Sequence, residues 1–272
     1  MKIPKIMYLY FIYFVLAFAL TGCGVEKEPA DQDKPGEIIV FAAASLTESF
    51  NELAAEFEKL ENGTVKVIYN FAGSQALKTS VENGAKADIF ASASVRYMEE
   101  LEEKGFVSGY SIFAQNRLVL IKNKNSSYSI TKLGDLSAEG MKIAVGDESV
   151  PVGMYWEQAL ETAYADGELK ADEISGIERN IKTRELNVKD VVSKVTLNEV
   201  DVGVVYKTDV AKVVLEKVEE IDLPVFQKFD SNYPAAVLKD SEGNAEALKF
   251  YYFLLSDKGS KILEKYNFIT DK

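Results

Sequence analysis

Histidine is absent from this chain of 272 residues, and cysteine and tryptophan occur once each. Without histidine there can be no Ser-His-Asp relay and no histidine-ligated zinc. A single cysteine leaves no intrachain disulfide. Basic side chains are scarce as well: 31 Lys and Arg stand against 43 Asp and Glu, a formal net charge of −12. Nucleic acid is therefore not expected as a partner, because binding it requires clustered Lys and Arg to neutralise phosphates. No internal repeat is found, and no low-complexity block beyond a short polar stretch near the N-terminus.

What is present begins with an address. Lys2 and Lys5 precede an apolar run from Ile6 to Leu20, shorter than the roughly 20 residues of a membrane span and shaped like an export signal. The run closes in Leu20-Thr21-Gly22-Cys23, which resembles the lipobox of bacterial lipoproteins, where the cysteine becomes the lipidated first residue. The sole cysteine thus has a use: lipid on Cys23 anchors the protein to the outer face of the cell membrane, firmly if more than one acyl chain is attached. From Gly24 to Gly36 the chain is polar and buries too little to offset ordering, which reads as a tether. The expected layout is residues 1–22 as signal peptide, 23–36 as lipidated cysteine and tether, 37–115 and 232–272 as a first lobe, and 116–231 as a second.

The rest, about 235 residues, suffices for one large or two modest domains. Apolar strand-like segments alternate with helical periodicity, which indicates an α/β fold with largely parallel sheets. Ile38 to Phe41 is a strand, and Leu46, Phe50, Leu53, Ala54, Phe57 and Leu60 mark a helix that stops before Asn62-Gly63. Val65 to Tyr69, a helix to Asn83-Gly84, and Asp88 to Ala91 complete a βαβαβ unit. Further strands are Arg117 to Ile121, Lys142 to Val145 and Val202 to Tyr206, with helices around Trp156 to Ala163 and Val188 to Leu197. Asn123 to Ser129 is a polar break at which the chain could cross between lobes, and Tyr233 to Leu238 is the strand that returns.

Twice, a strand runs straight into a serine at a helix start: Ile38 to Phe41 into Ser45, and Val65 to Tyr69 into Ser74. The first N–H groups of a helix lack intrahelical partners and sit at the positive end of its dipole, so such a start aims donors at an anion. Serine adds a hydroxyl and no charge. The bland alternative is capping, since Ser45-Leu46-Thr47-Glu48 forms a complete capping box. Ala42-Ala43-Ala44 and Ala72-Gly73 before the two serines leave room for a ligand to reach backbone. Hydrogen bonds to a charged partner contribute roughly 1.5–3 kcal/mol each, so neutral donors alone can hold a small dianion. Two more segments fit this pattern. Pro151 pre-sets a turn that leaves Val152 and Gly153 as donors, and the buried-strand pattern Asp201 to Tyr206 ends in a phenol.

Together these segments resemble the molybdate-binding proteins, extracytoplasmic ligand carriers of ATP-driven importers. The resemblance is carried by Phe41-Ala42-Ala43-Ala44-Ser45-Leu46, Asn70-Phe71-Ala72-Gly73-Ser74-Gln75, Ala87 to Ala93, Gly146-Asp147 with Val150-Pro151-Val152-Gly153, and Gly203-Val204-Val205-Tyr206. It implies a type II periplasmic-binding-protein fold: two α/β lobes, each a mostly parallel sheet flanked by helices, with the ligand in the cleft between them. Carried over residue by residue, Ser45 and Ser74 give hydroxyl and backbone donors, Val152 and Val188 backbone N–H groups, and Tyr206 its phenol. Molybdenum enters only as the molybdate oxyanion, or tungstate in its place; no cofactor, no enzymatic activity and a monomer that docks on a membrane permease are implied. The chain departs from the family in having Val152 where alanine is common, Asn267 where glycine is common and Glu148 where proline is common.

Selectivity follows from protonation. A donor-only site suits a fully deprotonated oxyanion, whereas phosphate near neutral pH carries a proton that needs an acceptor. Sulfate passes that test and must be excluded by size, so a carrier for sulfate or another oxyanion is the nearest alternative. A lipid-anchored serine hydrolase is a remoter one, resting on Ser129-Ile130-Thr131-Lys132 as an S-x-x-K motif without any K-T-G.

Overall fold

A computed structural model describes residues 35–270 of the chain. The expected export segment 1–22, Cys23 and the tether as far as residue 34 lie outside them. In chain order the elements are β1 (Gly36–Ala43), a 3-10 turn (Ala44–Leu46), α1 (Thr47–Leu60), β2 (Val65–Ala72), α2 (Ser74–Glu82), β3 (Ile89–Ala91), α3 (Val95–Glu103), β4 (Ser111–Asn116) and β5 (Leu118–Asn123). There follow β6 (Ile143–Gly146), α4 (Pro151–Ala165), α5 (Ala171–Asn180), β7 (Ile181–Glu185), α6 (Val188–Thr196), β8 (Val202–Tyr206), α7 (Lys212–Leu215) and β9 (Val218–Ile221). The chain closes with β10 (Ser231–Val237), α8 (Ala245–Leu254) and α9 (Asp257–Lys265).

The helix α1 forms where the 3.6-residue period places Phe50, Leu53, Ala54 and Phe57 on one buried face. It stops where Asn62 and Gly63 take positive φ, 53° and 75°, the left-handed step that ends helices. Asn267 takes φ 65° after α9, so asparagine does there what glycine would do.

Ten strands form two five-stranded sheets, ordered β2-β1-β3-β10-β4 and β7-β6-β8-β5-β9. The three-strand halves β2-β1-β3 and β7-β6-β8 are parallel, as the alternating pattern predicts. The other pairings are antiparallel, because β4, β5 and β10 belong to the stretches where the chain passes from one sheet to the other and back. Passage occurs at Arg117, between β4 and β5, and again between β9 and β10. The polar break at Asn123 to Ser129 is not the crossing: β5, which precedes it, is already hydrogen-bonded into the second sheet. The break is a loop at the far end of that strand.

Register places the site. Phe41 lies opposite Asn70 and Ala43 opposite Ala72, so β1 and β2 end level and their following turns emerge side by side. In the second sheet, β6 and β8 are parallel neighbours, and Tyr206 at the end of β8 faces Leu118, one residue past the crossing. Among the largest wholly buried side chains are Trp156, Tyr206 and Tyr233. The rings of Tyr206 and Tyr233 meet edge to face at 6.0 Å, one from each sheet.

Candidate functional site

Four helical starts converge on one small cavity. Its walls include Ala44 and Ser45 from the first 3-10 turn, Gly73 and Ser74 at the start of α2, Pro151 and Val152 at the start of α4, and Asn187 and Val188 at the start of α6, with Tyr206 closing it. Two of these starts follow strands of the first sheet and two follow strands of the second. All five residues singled out from the sequence, Ser45, Ser74, Val152, Val188 and Tyr206, therefore lie on one wall or another. Each is buried. The space between them is small, about 20 Å³, on the scale of a compact ion.

Local chemistry explains each start. Pro151 occupies the first turn of α4, where its missing N–H costs nothing, and leaves the Val152 and Gly153 N–H groups without intrahelical acceptors. Glycine is required at 153: a Cβ there would stand 2.0 Å from the Asp147 carbonyl oxygen and 2.6 Å from that of Gly146. Asp147 holds the loop by accepting from the Ser149 N–H at 2.9 Å and its hydroxyl at 2.6 Å, bonds that keep its carboxyl below the usual range. Asn187 caps α6 through the Asp190 N–H at 3.1 Å, which leaves Val188 as the first helical donor. Glu148, a concern for an anion site, is exposed and is not among the cavity walls.

The two serines are not equivalent. Ser74 Oγ accepts the Ala93 N–H at 3.0 Å. The capping alternative for Ser45, through the box ending at Glu48, does not hold: a 3-10 turn intervenes, α1 begins at Thr47, and no side chain caps it. Ser45 Oγ instead lies 2.8 Å from the hydroxyl of Tyr233, while Thr47 Oγ1 donates to the Ala44 carbonyl at 2.7 Å. Tyr206 Oη is buried with no hydrogen-bond partner among the described residues. Ser231, the neighbouring hydroxyl, donates to the Ala93 carbonyl at 3.0 Å. Burial pushes the Tyr206 phenol well above its ordinary value, against a weaker opposing influence from Ser231, so it stays protonated and keeps its proton available for a ligand.

None of the cavity walls is charged. A cation lies just outside, at Lys189, but its ammonium is taken by Asp209 at 2.9 Å and Glu48 at 2.7 Å. Burial opposes its charge, yet the two carboxylates outweigh that and hold its pKa above the usual lysine value. Lys189 and Glu48 come from opposite sides of the cleft. So do Gln75 Nε2 and the Leu186 carbonyl oxygen, at 2.9 Å, and the Tyr97 hydroxyl and the Ser149 carbonyl oxygen. A Cβ at Gly73 would stand 2.4 Å from the Leu186 oxygen, so the lobes meet where only glycine fits.

Sequence reasoning missed the residues behind the walls. Tyr233, Asn116, Lys189 and Asp209 carry no local motif and act through partners up to 188 residues away. The S-x-x-K segment assembles no nucleophile: Ser129 is exposed, and Lys132 Nζ faces Glu173 at 3.7 Å. Its Thr131 and Lys132 N–H groups instead go to Asp135 Oδ2, at 2.8 and 3.1 Å.

Residues 38–269 match the bacterial extracellular solute-binding protein family. A putative ABC transporter substrate-binding lipoprotein of Bacillus subtilis, YvgL, is 32% identical, covering 97% of this chain and 98% of its own. The molybdate-binding protein ModA of Mycobacterium tuberculosis is 31% identical over 93% of this chain and 94% of its own. Among solved structures, the sulfate-binding protein SubI of M. tuberculosis superposes with a TM-score of 0.78 at 18% identity, covering 87% of this chain and 88% of that one, and so shares the fold.

Proposed function

The chain belongs to the bacterial extracellular solute-binding proteins, and from that premise we propose that it captures molybdate, and tungstate in its place, and delivers it to the permease of an ABC importer. The observation that carries this reading is the set of neutral donors from four helical starts around an uncharged cavity of about 20 Å³. Ser45 and Ser74 supply hydroxyl and backbone N–H groups, Val152 and Val188 backbone N–H groups, and Tyr206 a phenol. The protein is a carrier, and the oxyanion is its cargo. Charge on the cargo is balanced by dipoles, since each helical start presents a partial positive charge. The relatives named for molybdate binding support the choice of ion. Export through residues 1–22, lipid on Cys23 and a tether that ends where Gly36 enters β1 hold the carrier at the outer face of the cell membrane, in keeping with the relative named a lipoprotein.

Calorimetric titration of the protein with molybdate, tungstate, sulfate and phosphate tests the reading. Saturable one-to-one binding of molybdate and tungstate is expected, with sulfate and phosphate far weaker. Equal or tighter binding of sulfate would transfer the protein to the sulfate carriers, and no binding of any of the four would remove the oxyanion from the account.

A further inference from the structure

Tyr233 lies behind the cavity wall, wholly buried, with its hydroxyl 2.8 Å from Ser45 Oγ. Behind it stands Asn116, also buried. Asn116 Oδ1 accepts the Arg117 N–H at 3.0 Å, which fixes which way the amide faces. Its Nδ2 must then donate on the other side, to Thr208 Oγ1 at 2.8 Å and to Tyr233 Oη at 3.2 Å. A phenol has one proton. Asn116 donates into the Tyr233 oxygen, and Ser45 Oγ is the hydroxyl within reach of the phenol's own proton; a phenol that spends its proton there leaves the serine's proton to turn into the cavity.

We propose that Asn116 and Tyr233 form a one-way hydrogen-bond relay that holds Ser45 as a donor toward the cleft, which makes Tyr233 a positioning residue for discrimination against protonated oxyanions. This rests on the reading of the cleft as an oxyanion site. Ser74 leans the same way, since the Ala93 N–H takes one of its two lone pairs and leaves the hydroxyl proton to be given elsewhere. Burial keeps the Tyr233 phenol protonated far above its ordinary range, so the relay does not switch off with pH. A freely turning serine could accept a proton from hydrogen phosphate. With one lone pair held by Tyr233, and Tyr233 held by an Asn116 amide tied to the Arg117 N–H, the serine keeps its proton for the cleft and has a single lone pair left, which tips it toward donating to a bare oxyanion.

The test is the ratio of molybdate to hydrogen phosphate affinity, measured by competitive calorimetry near neutral pH, with sulfate as a proton-free control. Tyr233→Phe keeps the ring and frees Ser45 to accept. The molybdate-to-phosphate ratio should fall by about tenfold, the worth of one hydrogen bond, while the molybdate-to-sulfate ratio stays within about twofold. Asn116→Asp puts an acceptor where the amide donates and reverses the relay. The phosphate ratio should fall further, and the added charge cancels because both anions are divalent. A residue that merely held the fold would weaken all anions alike. Both ratios unchanged in a folded Tyr233→Phe or Asn116→Asp protein would overturn the relay, as would a wild-type protein that prefers hydrogen phosphate. Should the wild-type protein hold sulfate instead of molybdate, the functional reading fails while the relay is still judged, by the sulfate-to-phosphate ratio.

Discussion

At the scale of single residues, the site is built from polar groups whose cost is set by what lies behind them. Tyr206 Oη is buried with no hydrogen bond within normal geometry among the described residues and only the Ser231 hydroxyl nearby, a state that costs up to about 1–3 kcal/mol until a ligand accepts its proton. Tyr206→Phe should therefore leave the ligand-free protein as stable as before or slightly more so. Its molybdate affinity should drop by about tenfold to a hundredfold, the loss of one charge-assisted bond. Calorimetry and thermal melts check both, and unchanged affinity in the folded variant would remove Tyr206 from the site. Lys189 gives a second contrast. Its bond to Glu48 is partly exposed, with 44% of the glutamate side chain open to solvent, whereas the Asp209 side chain is wholly buried. Glu48→Gln should cost at most about 1 kcal/mol, but Lys189→Met strands a buried carboxylate and should cost about 3–5 kcal/mol in denaturant unfolding.

At the scale of elements, the working unit is the strand that ends level with its neighbour and turns into a helix. Gly153→Ala tests how closely α4 must approach its own lead-in loop. The added Cβ would overlap the Asp147 carbonyl, so the start of the helix must shift, and both stability and oxyanion affinity should fall by at least about tenfold in the respective equilibria. Wild-type affinity in that variant would mean that the Val152 donor has no fixed place. These starts were legible in the sequence because their signals are local: an apolar run, then Ser, Gly or Pro, then a 3.6-residue period. Ser45 shows where local reading fails. The capping box was complete in sequence, but a 3-10 turn moved the helix start to Thr47 and the hydroxyl found Tyr233, 188 residues away. Parallel pairing was legible in the halves that carry the site, and the antiparallel half was not, since it arises from where the chain crosses between sheets. Periodicity does not mark the crossing at Arg117; the layout that sets a lobe boundary at residue 116 rests on the family resemblance, and the polar break at Asn123 lies past it.

At the scale of the whole molecule, two lobes close on a donor-lined space, and contacts from Glu48 to Lys189 and from Gln75 to the Leu186 carbonyl span the join. Burial raises the pKa of Tyr206 and Tyr233 above the ordinary tyrosine value of 10.0. The unfolded chain surrenders those protons near pH 10 while the folded protein keeps them, so their contribution to stability should be flat below that pH. Above it, stability should fall by about 1.4 kcal/mol per pH unit for each phenol. Denaturant midpoints between pH 8 and 12 read this directly, and a flat profile through pH 12 would contradict it. The central claim, that neutral donors alone hold a molybdenum oxyanion between the lobes, is tested most directly by diffraction from crystals grown with molybdate, using anomalous scattering at the molybdenum edge. The account predicts a single peak within hydrogen-bonding reach of Ser45, Ser74, Val152, Val188 and Tyr206, with no Lys, Arg or carboxylate touching it. A peak held by a charged side chain, or one outside that cavity, would contradict it.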